Sequence, residues 1–332
     1  MSRREFLRLP FGASAGIGLG WLATTCSSFA PGGEAGPPGR SAKARQPVPA
    51  PQPGTVAAGA FSAPVQEPAR EALPGVFASM SLETVYYIRC GERAVLIDTG
   101  FVRSFPLHLA NFEKSGLDLS VIDAVLVSHF HVDHAAALAD ARKRLKCPVV
   151  AHKNNVAVIE SGDRIATAAY MPYLGWDLPF QACPVDHPVE DGDTVTVGAT
   201  TFTVVHLPGH TPGCTGYLFG DRWLVIGDVV FPSGILGWND VHWGSNYLDI
   251  IDTMRRIAEV NPAKCIPSHG LPWPYDKSTS EGGEKRARGL LEPFSSIGPI
   301  ACTFRAPLAE KDRTLRHLVL TRGGARSKRS RG

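Results

Sequence analysis

The stretch Ala124–His134, AVLVSHFHVDH, decides how the chain reads. Ala124–Val127 is apolar and partly β-branched, the signature of a buried strand. It gives way to His129, His131, Asp133 and His134, four metal-type side chains within six residues. Two histidines one residue apart on extended backbone project to the same side. Asp133 and His134 then open what reads as a single helix running through AAALADARKRLK. One tetrahedral ion cannot use four such ligands if others join from elsewhere, so the stretch reads as half of a two-metal site.

The other half is sought at similar places. Along the chain an apolar β run stops five times with a metal-type side chain at its carboxyl end. These are Asp98 after Ala94–Ile97, the His129 cluster, His210 in LPGHTPG, Asp228 in IGD and His269 in PSHG. Ligands gather outside the carboxyl ends of strands in sheets covered by helices. Five endings converging on one rim imply two β-rich halves closed by helices, hence an α/β fold with two sheets packed face to face.

Around those endings the elements read as follows. Thr84–Cys90 and Ala94–Ile97 form a hairpin about Gly91-Glu92, and Phe105–Lys114 is a helix stopped by Gly116. A short strand at Pro148–Ala151 precedes a helix from Asn154 to Ser161. Tyr170–Phe180 is aromatic and proline-broken, so it is a loop. Thr194–Val197, Thr201–Leu207, Cys214–Phe219 and Trp223–Ile226 are further strands, and Lys264–Pro267 is one more. Asn246–Val260 is amphipathic, with an apolar stripe of Ile251, Met254, Ile257 and Ala258, a cap at Ser245 or Asn246, and Pro262 beyond its end.

The flanks differ in kind. Ser2-Arg3-Arg4-Glu5-Phe6-Leu7 resembles a twin-arginine export motif, followed by the Gly-rich apolar Phe11–Thr25 and by small residues at Ser28-Phe29-Ala30. Residues 1–30 are therefore expected to be a signal peptide, directing the chain to the periplasm. Cys26, behind Ala23-Thr24-Thr25, offers acylation as an alternative and would leave the protein membrane-attached as a lipoprotein. Residues 31–72, rich in Pro, Ala and Gly, read as a flexible linker. The folded domain is expected over 73–294 and a C-terminal extension over 295–332, ending in a basic, disordered tail from Thr321.

The 332-residue chain is 44% hydrophobic, enough for a full core, and its net charge of +3 is too small to argue for nucleic acid. Seven cysteines without a CxxC pair signal neither a zinc ribbon nor a disulfide scaffold, and Cys147 and Cys265, beside apolar runs, read as buried thiols. His152, His187, His206 and His242 match no metal motif and read as structural. Tyr170, Tyr173, Trp176, Trp238 and Trp243 lie between the ligand motifs and could wall an apolar pocket.

Taken together, the ordered motifs His129-x-His131-x-Asp133-His134, upstream Asp98, His210, Asp228 and His269 resemble the metallo-β-lactamase fold hydrolases. The resemblance implies a four-layered αβ/βα sandwich with a dinuclear site on one edge. It places His129, His131 and His210 on one ion and Asp133, His134 and His269 on the other, bridged by Asp228. Asp98 then orients a ligand instead of binding metal, and Asp133 could receive a proton during turnover. Imidazoles at one ion and a carboxylate-containing set at the other suit two Zn²⁺, with Fe or Mn also compatible. Two divalent ions carry four positive charges against three negative from Asp133, Asp228 and a shared hydroxide. The surplus favours an anion developing at a bound carbonyl.

The expected activity is hydrolysis of an ester-like bond in a small molecule, a thioester, lactone or related group, by a metal-bridging hydroxide. Asp228 resembles the glyoxalase II and lactonase branches, whereas β-lactamases carry Cys or a non-ligand there. The glutathione-binding helical region of glyoxalase II has no evident counterpart. The Asp228–His269 gap is too short for the inserted domain of the nucleic-acid-processing branch. A mononuclear iron enzyme resembling the persulfide dioxygenases, and a β-lactamase, stand as the alternatives.

Overall fold

The computed structural model describes residues 67–295, 316–321 and 324–329. The leader, most of the linker, Cys26 and the basic stretch at the chain's end beyond Arg329 lie outside the described residues. The first sheet contains β1 (Arg70–Leu73), β2 (Val76–Met80), β3 (Thr84–Cys90) and β4 (Arg93–Ile97). It continues with β5 (Ile122–Leu126) and β6 (Val149–His152). A small hairpin of β7 (Tyr170–Met171) and β8 (Trp176–Asp177) stands apart, and β9 (His187–Val189) completes the sheet in the order β1-β2-β3-β4-β5-β6-β9.

The second sheet is built from β10 (Thr194–Val197), β11 (Thr200–His206), β12 (Thr215–Phe219) and β13 (Trp223–Gly227). A two-stranded hairpin, β14 (Val230–Phe231) and β15 (Ile235–Leu236), follows outside it. Then come β16 (Lys264–Pro267), β17 (Trp273–Pro274), β18 (Arg316–Thr321) and β19 (Gly324–Arg329), in the spatial order β17-β16-β13-β12-β11-β10-β18-β19. Both sheets are mixed: β4, β5, β6 and β9 run parallel, as do β13 and β16, while the hairpins run antiparallel.

The helices are α1 (Phe105–Lys114), α2 (Val132–Ala135), α3 (Leu138–Leu145) and α4 (Lys153–Ser161), then α5 (Tyr247–Val260) and α6 (Lys277–Ser295). Period-two alternation explains the layering. On β3 and β4, Tyr86, Ile88, Val95 and Ile97 face the second sheet, meeting Phe202, Val204, Tyr217 and Phe219. Their neighbours Val85, Tyr87 and Leu96 face outward onto Phe105, Leu109 and Phe112 of α1. The outer face of the second sheet (Val205, Leu224, Ile226) packs on Ile250, Met254 and Ile257 of α5 and Ala287 of α6. β5, covered on both faces, is buried along its whole length, and its one polar residue, Asp123, is paired with Arg93. This is the expected four-layered αβ/βα sandwich.

Several expectations change. The first strand among the described residues, β1, begins at Arg70, three residues before Leu73. The helix after His134 breaks at Ala136–Ala137 into α2 and α3, with Ala137 out of helical geometry (φ −98, ψ 12). Tyr170–Phe180 is not wholly a loop, since it carries the β7–β8 hairpin. The cap on α5 is Asn246, whose side chain accepts from Leu248 N at 2.9 Å. The tail read as disordered from Thr321 instead contributes β19, which pairs with β18, and β18 runs parallel to β10 at the sheet edge. The sequence RHLVLT holds a short apolar run, Leu318–Leu320, compatible with a strand, and Leu320 is buried. The basic residues after it suit an edge strand, where charge discourages further pairing. The five described cysteines, Cys90, Cys147, Cys183, Cys214 and Cys265, are buried and form no disulfide among themselves. Among the described residues no helix is long and apolar enough to cross a membrane.

Phe202→Ala, between the two sheets, is expected to cost about 3–5 kcal/mol of unfolding free energy. Ile165→Ala, on the surface, should stay within about 0.5 kcal/mol. Urea denaturation followed by circular dichroism measures both.

Candidate metal centre

All five strand-end motifs meet on one edge of the sandwich. His129 follows β5, His131 caps α2 from extended backbone, and His210 follows β11. Their ligand atoms form a tight triangle. His129 Nε2 lies 3.1 Å from His131 Nδ1, His210 Nε2 lies 3.0 Å from His131 Nδ1, and the third edge is 3.3 Å. Nitrogens about 2.0–2.1 Å from one tetrahedral ion stand about 3.3–3.4 Å apart, so the triangle has the size of one face of such a site. His129, His131 and His210 are at most 5% exposed.

The second cluster comprises Asp133, His134, Asp228 and His269. His134 Nε2 is 3.3 Å from Asp133 Oδ2 and 3.4 Å from Asp228 Oδ2. His269 Nε2 is 3.3 Å and 3.1 Å from the same two oxygens. His134 and Asp228 are buried, while the side chains of Asp133 and His269 are 21% and 28% exposed and mark the open face. Asp228 Oδ1 is buried with no hydrogen-bond partner, leaving a lone-pair oxygen available beyond the second cluster. The two clusters share the His129-to-His134 segment, and His129 and His134 have ring centroids 4.2 Å apart. Together the two donor sets imply a dinuclear metal centre.

Partners behind the ligands fix which nitrogen faces inward. His269 Nδ1 donates to Leu82 O at 2.7 Å, which leaves the Nε2 lone pair for the centre. Asp98 lies outside both clusters. Its Oδ1 accepts from Ser128 N at 2.7 Å and its Oδ2 from Ser128 Oγ at 2.6 Å and Ser268 Oγ at 3.0 Å. The same Oδ2 stands 3.3 Å from His134 Nδ1. Ser128 Oγ also meets His129 Nδ1 at 3.0 Å, so Asp98 aligns His134 directly and His129 through a serine hydroxyl. Asp98 achieves this from left-handed backbone (φ 62), which Asp tolerates better than most side chains.

Ser128 and Ser268 escaped the sequence reading. The signal was present, since each stands immediately before a ligand histidine. Glu83 escaped too. It is buried against His108 Nε2 at 2.9 Å and bonded by Ser104 Oγ, next to the Leu82 carbonyl that orients His269. Burial opposes its ionisation, but the His108 ring and the Ser104 hydroxyl hold the carboxyl below its usual range.

Glycines permit the close approaches. A Cβ on Gly209 would lie 2.7 Å from Ile250 N, so the residue before His210 can seat against α5 only without a side chain. A Cβ on Gly237 would meet Asp228 O at 2.0 Å and His210 Nδ1 at 3.2 Å.

The remaining sequence candidates separate clearly. His152 and His206 stack on each other (centroids 4.0 Å apart), and His206 Nε2 meets Pro212 O at 2.9 Å. His187 sits on β9, and His242 pairs with Asp240 at 2.6 Å on the surface. None joins the metal clusters. Trp243 is buried with its ring 4.7 Å from His131, Trp238 stands 5.6 Å from Trp243, and Trp176 stands 6.3 Å from Trp238. Tyr170 instead lies under Arg164 at the surface, and the side chain of Tyr173 is outside those described.

Electrostatically the two clusters are opposites. Burial, reinforced by the neighbouring imidazoles, holds His129 and His131 well below the usual histidine range, and burial brings His210 down to about 4. These rings are neutral and present lone pairs. Burial pulls His134 and His269 down as well, but Asp133 and Asp228 outweigh it. His134 is raised well above its usual value and His269 to about 10. Burial likewise opposes ionisation of Asp133 and Asp228, yet the facing histidines hold both well below the carboxylate range. The second cluster thus attracts positive charge.

Residues 81–269 match the family described as the metallo-beta-lactamase superfamily. A probable metallo-hydrolase of Methanocaldococcus jannaschii is 26% identical over 189 residues, 55% of this chain and 86% of that protein. An acyl-coenzyme A thioesterase of Bos taurus is 26% identical over 208 residues, 56% of this chain and 72% of its own length. A hydroxyacylglutathione hydrolase of Bdellovibrio bacteriovorus is 30% identical over 151 residues, 43% of this chain and 46% of that one. Among solved structures, the native FEZ-1 metallo-beta-lactamase of Legionella gormanii superposes with a TM-score of 0.58 at 19% identity, covering 71% of this chain and 98% of that one. That likeness is one of fold.

Proton counting tests the two electrostatic environments. At pH 7.5 His134 and His269 of the metal-free chain carry protons that an incoming ion must displace, whereas the first cluster has none to lose. Titration calorimetry in buffers of different ionisation enthalpy should find that filling the second cluster releases about two protons more than filling the first, apart from the proton lost by the water that the ions ionise. The affinity of the second cluster should rise with pH up to about 10.

Proposed function

The chain belongs to the metallo-β-lactamase superfamily, and on that premise we propose that it is a metal-dependent hydrolase of ester-like bonds, acyl thioesters foremost. The observation that carries the reading is the division of the donors into His129/His131/His210 and Asp133/His134/Asp228/His269, on the edge where Asp133 and His269 face solvent. Two curated relatives are named for acyl hydrolysis, an acyl-coenzyme A thioesterase and a hydroxyacylglutathione hydrolase, which favours an acyl substrate.

In this reading His129, His131 and His210 would hold one ion. Asp133, His134 and His269 would hold the second, with Asp228 shared between them. Such a pair, when bound, supplies a water ionised near neutrality and a Lewis acid for the scissile carbonyl. We take the ions to be Zn²⁺, since neutral imidazoles and carboxylates at these spacings suit it.

The chain's own residues do the rest. Asp98 keeps His134 and, through Ser128, His129 in the ligating orientation. Asp133, partly exposed and anionic, is placed to take the proton that the attacking hydroxyl gives up and to pass it to the departing thiolate, so that one water becomes a carboxylate oxygen and a thiol leaves. Trp243 seals the first cluster on the side of His131 and keeps bulk water from it. No serine or cysteine nucleophile is needed, and burial pushes the nearby Cys214 thiol up to about 12, where it is inert. The proposal extends to the leader: residues 1–30 carry the folded, metal-loaded chain out by the twin-arginine route, with cleavage after Ala30 or acylation at Cys26.

Thioesterase activity of the purified chain, measured with a thiol-trapping dye, should vanish on chelation and return with zinc. The His129→Ala/His131→Ala double variant should fall to the uncatalysed background while remaining folded. Retained turnover in that variant would refute the site. One iron per chain with oxygen uptake on a persulfide would replace the reading with a dioxygenase.

A further inference from the structure

A groove of about 540 Å³ opens beside the metal centre, between the β14–β15 hairpin and α6. Its lining is mainly apolar: Ile235, Leu236, Trp238 and Tyr247 on one side, Leu290 on the other, with Arg286 the single charged residue and no carboxylate. Ile235, Trp238 and Leu290 are each about half exposed. Isolated exposed apolar side chains need no explanation, but three gathered in one concave surface mark a binding site. The volume lies within the range of small-ligand pockets, about 300–1,000 Å³.

Two chains of contact join this groove to the metal ligands. The first is aromatic. Trp238 in the groove stands 5.6 Å from Trp243 at 89°, and Trp243 stands 4.7 Å from the His131 ring. The second runs through the hairpin. Ile235 pairs with Phe231, whose ring is 6.3 Å from His269, at the open face of the second cluster. Gly237 lies between the two, against both Asp228 and His210.

The groove is also held in shape. A Cβ on Gly234 would lie 2.4 Å from Gly283 N, and one on Gly283 would lie 2.4 Å from Met254 Sδ. Hairpin and helix are therefore locked at backbone contact, and the cleft they leave is part of the fold.

We propose that this groove receives the apolar acyl chain of the substrate, with Trp238 as its platform, so that the enzyme selects long-chain over short-chain acyl thioesters. The proposal rests on the hydrolase reading for its catalytic consequence but not for the binding event. A carbonyl placed at the open face beside His269 can extend its chain past Phe231 and Ile235 to Trp238 in the cleft, where water is displaced from aromatic and aliphatic surface. Arg286 at the rim favours a substrate of negative charge over a cationic amphiphile.

Two measurements on the zinc-loaded full chain test it. The first compares acetyl, hexanoyl and dodecanoyl thioesters of one thiol, each below its micellar concentration. We expect kcat/KM to rise at least tenfold across the series, and the dodecanoyl-to-acetyl ratio to fall at least fivefold in Trp238→Ala and in Leu290→Asp, through KM. A ratio that is flat in the parent, or unchanged in both variants, would overturn the proposal. The second is calorimetric binding of dodecanoate against acetate, which reports on the groove whether or not thioesters are cleaved. Tighter binding of dodecanoate that weakens at least fivefold in both variants supports the groove. Equal binding of the two acids overturns it even if hydrolysis is confirmed. Selective dodecanoate binding without turnover would retain the groove and sink only the hydrolase reading.

Discussion

The structure turns on one electrostatic constraint: lone pairs crowded together without enough protons to pair them. Three imidazole nitrogens stand within 3.3 Å of one another in a buried triangle, and no arrangement of hydrogens on neutral rings satisfies all three edges. Beside them two carboxylate oxygens face two further imidazoles. Buried polar atoms without partners are costly, and Asp228 Oδ1 is left that way. A cation at each cluster resolves what protons cannot. The sheets, helices and tight glycine turns serve to keep these side chains converged against that cost.

The convergence is enforced from behind. Asp98 reaches His134 and, by way of Ser128, His129, while Ser268 ties the same carboxylate to the strand that delivers His269. The Leu82 carbonyl turns His269, and the buried Glu83–His108 pair sits in the adjoining turn. Thr253 Oγ1 bonds Pro208 O at 2.7 Å and Ser245 Oγ bonds His210 O at 2.6 Å, which fixes the His210 loop to α5. Four of the five strand ends are thus cross-braced, and loss of a brace should be felt in ligand geometry before it is felt in folding.

Much of this was legible in the sequence, for identifiable reasons. The β runs were readable because burial on both faces demands apolar stretches, as in Ala124–Val127. The candidate donors stood out because they follow those runs directly, and the structure gathers all seven into two clusters that could hold metal ions. What stayed hidden depends on contacts between distant segments. The α6 helix was masked by Gly282 and Gly283, which look like breakers until Gly234 is seen packed against them. The break between α2 and α3 occurs in a run of alanines that favours helix locally. β18 and β19 were obscured by their charge, which reads as solvated tail until an open sheet edge is available beside β10. Ser128 and Glu83 carry no motif at all, because a supporting hydrogen bond asks only for a donor or acceptor in the right place.

The most direct measurement is a crystal structure of the metal-loaded chain with anomalous scattering collected at the metal edge. The account requires two peaks about 3.5–4 Å apart. One should lie about 2.0–2.2 Å from His129, His131 and His210, and the other at that distance from Asp133, His134, Asp228 and His269. A single peak, or ions bound away from these side chains, would contradict it.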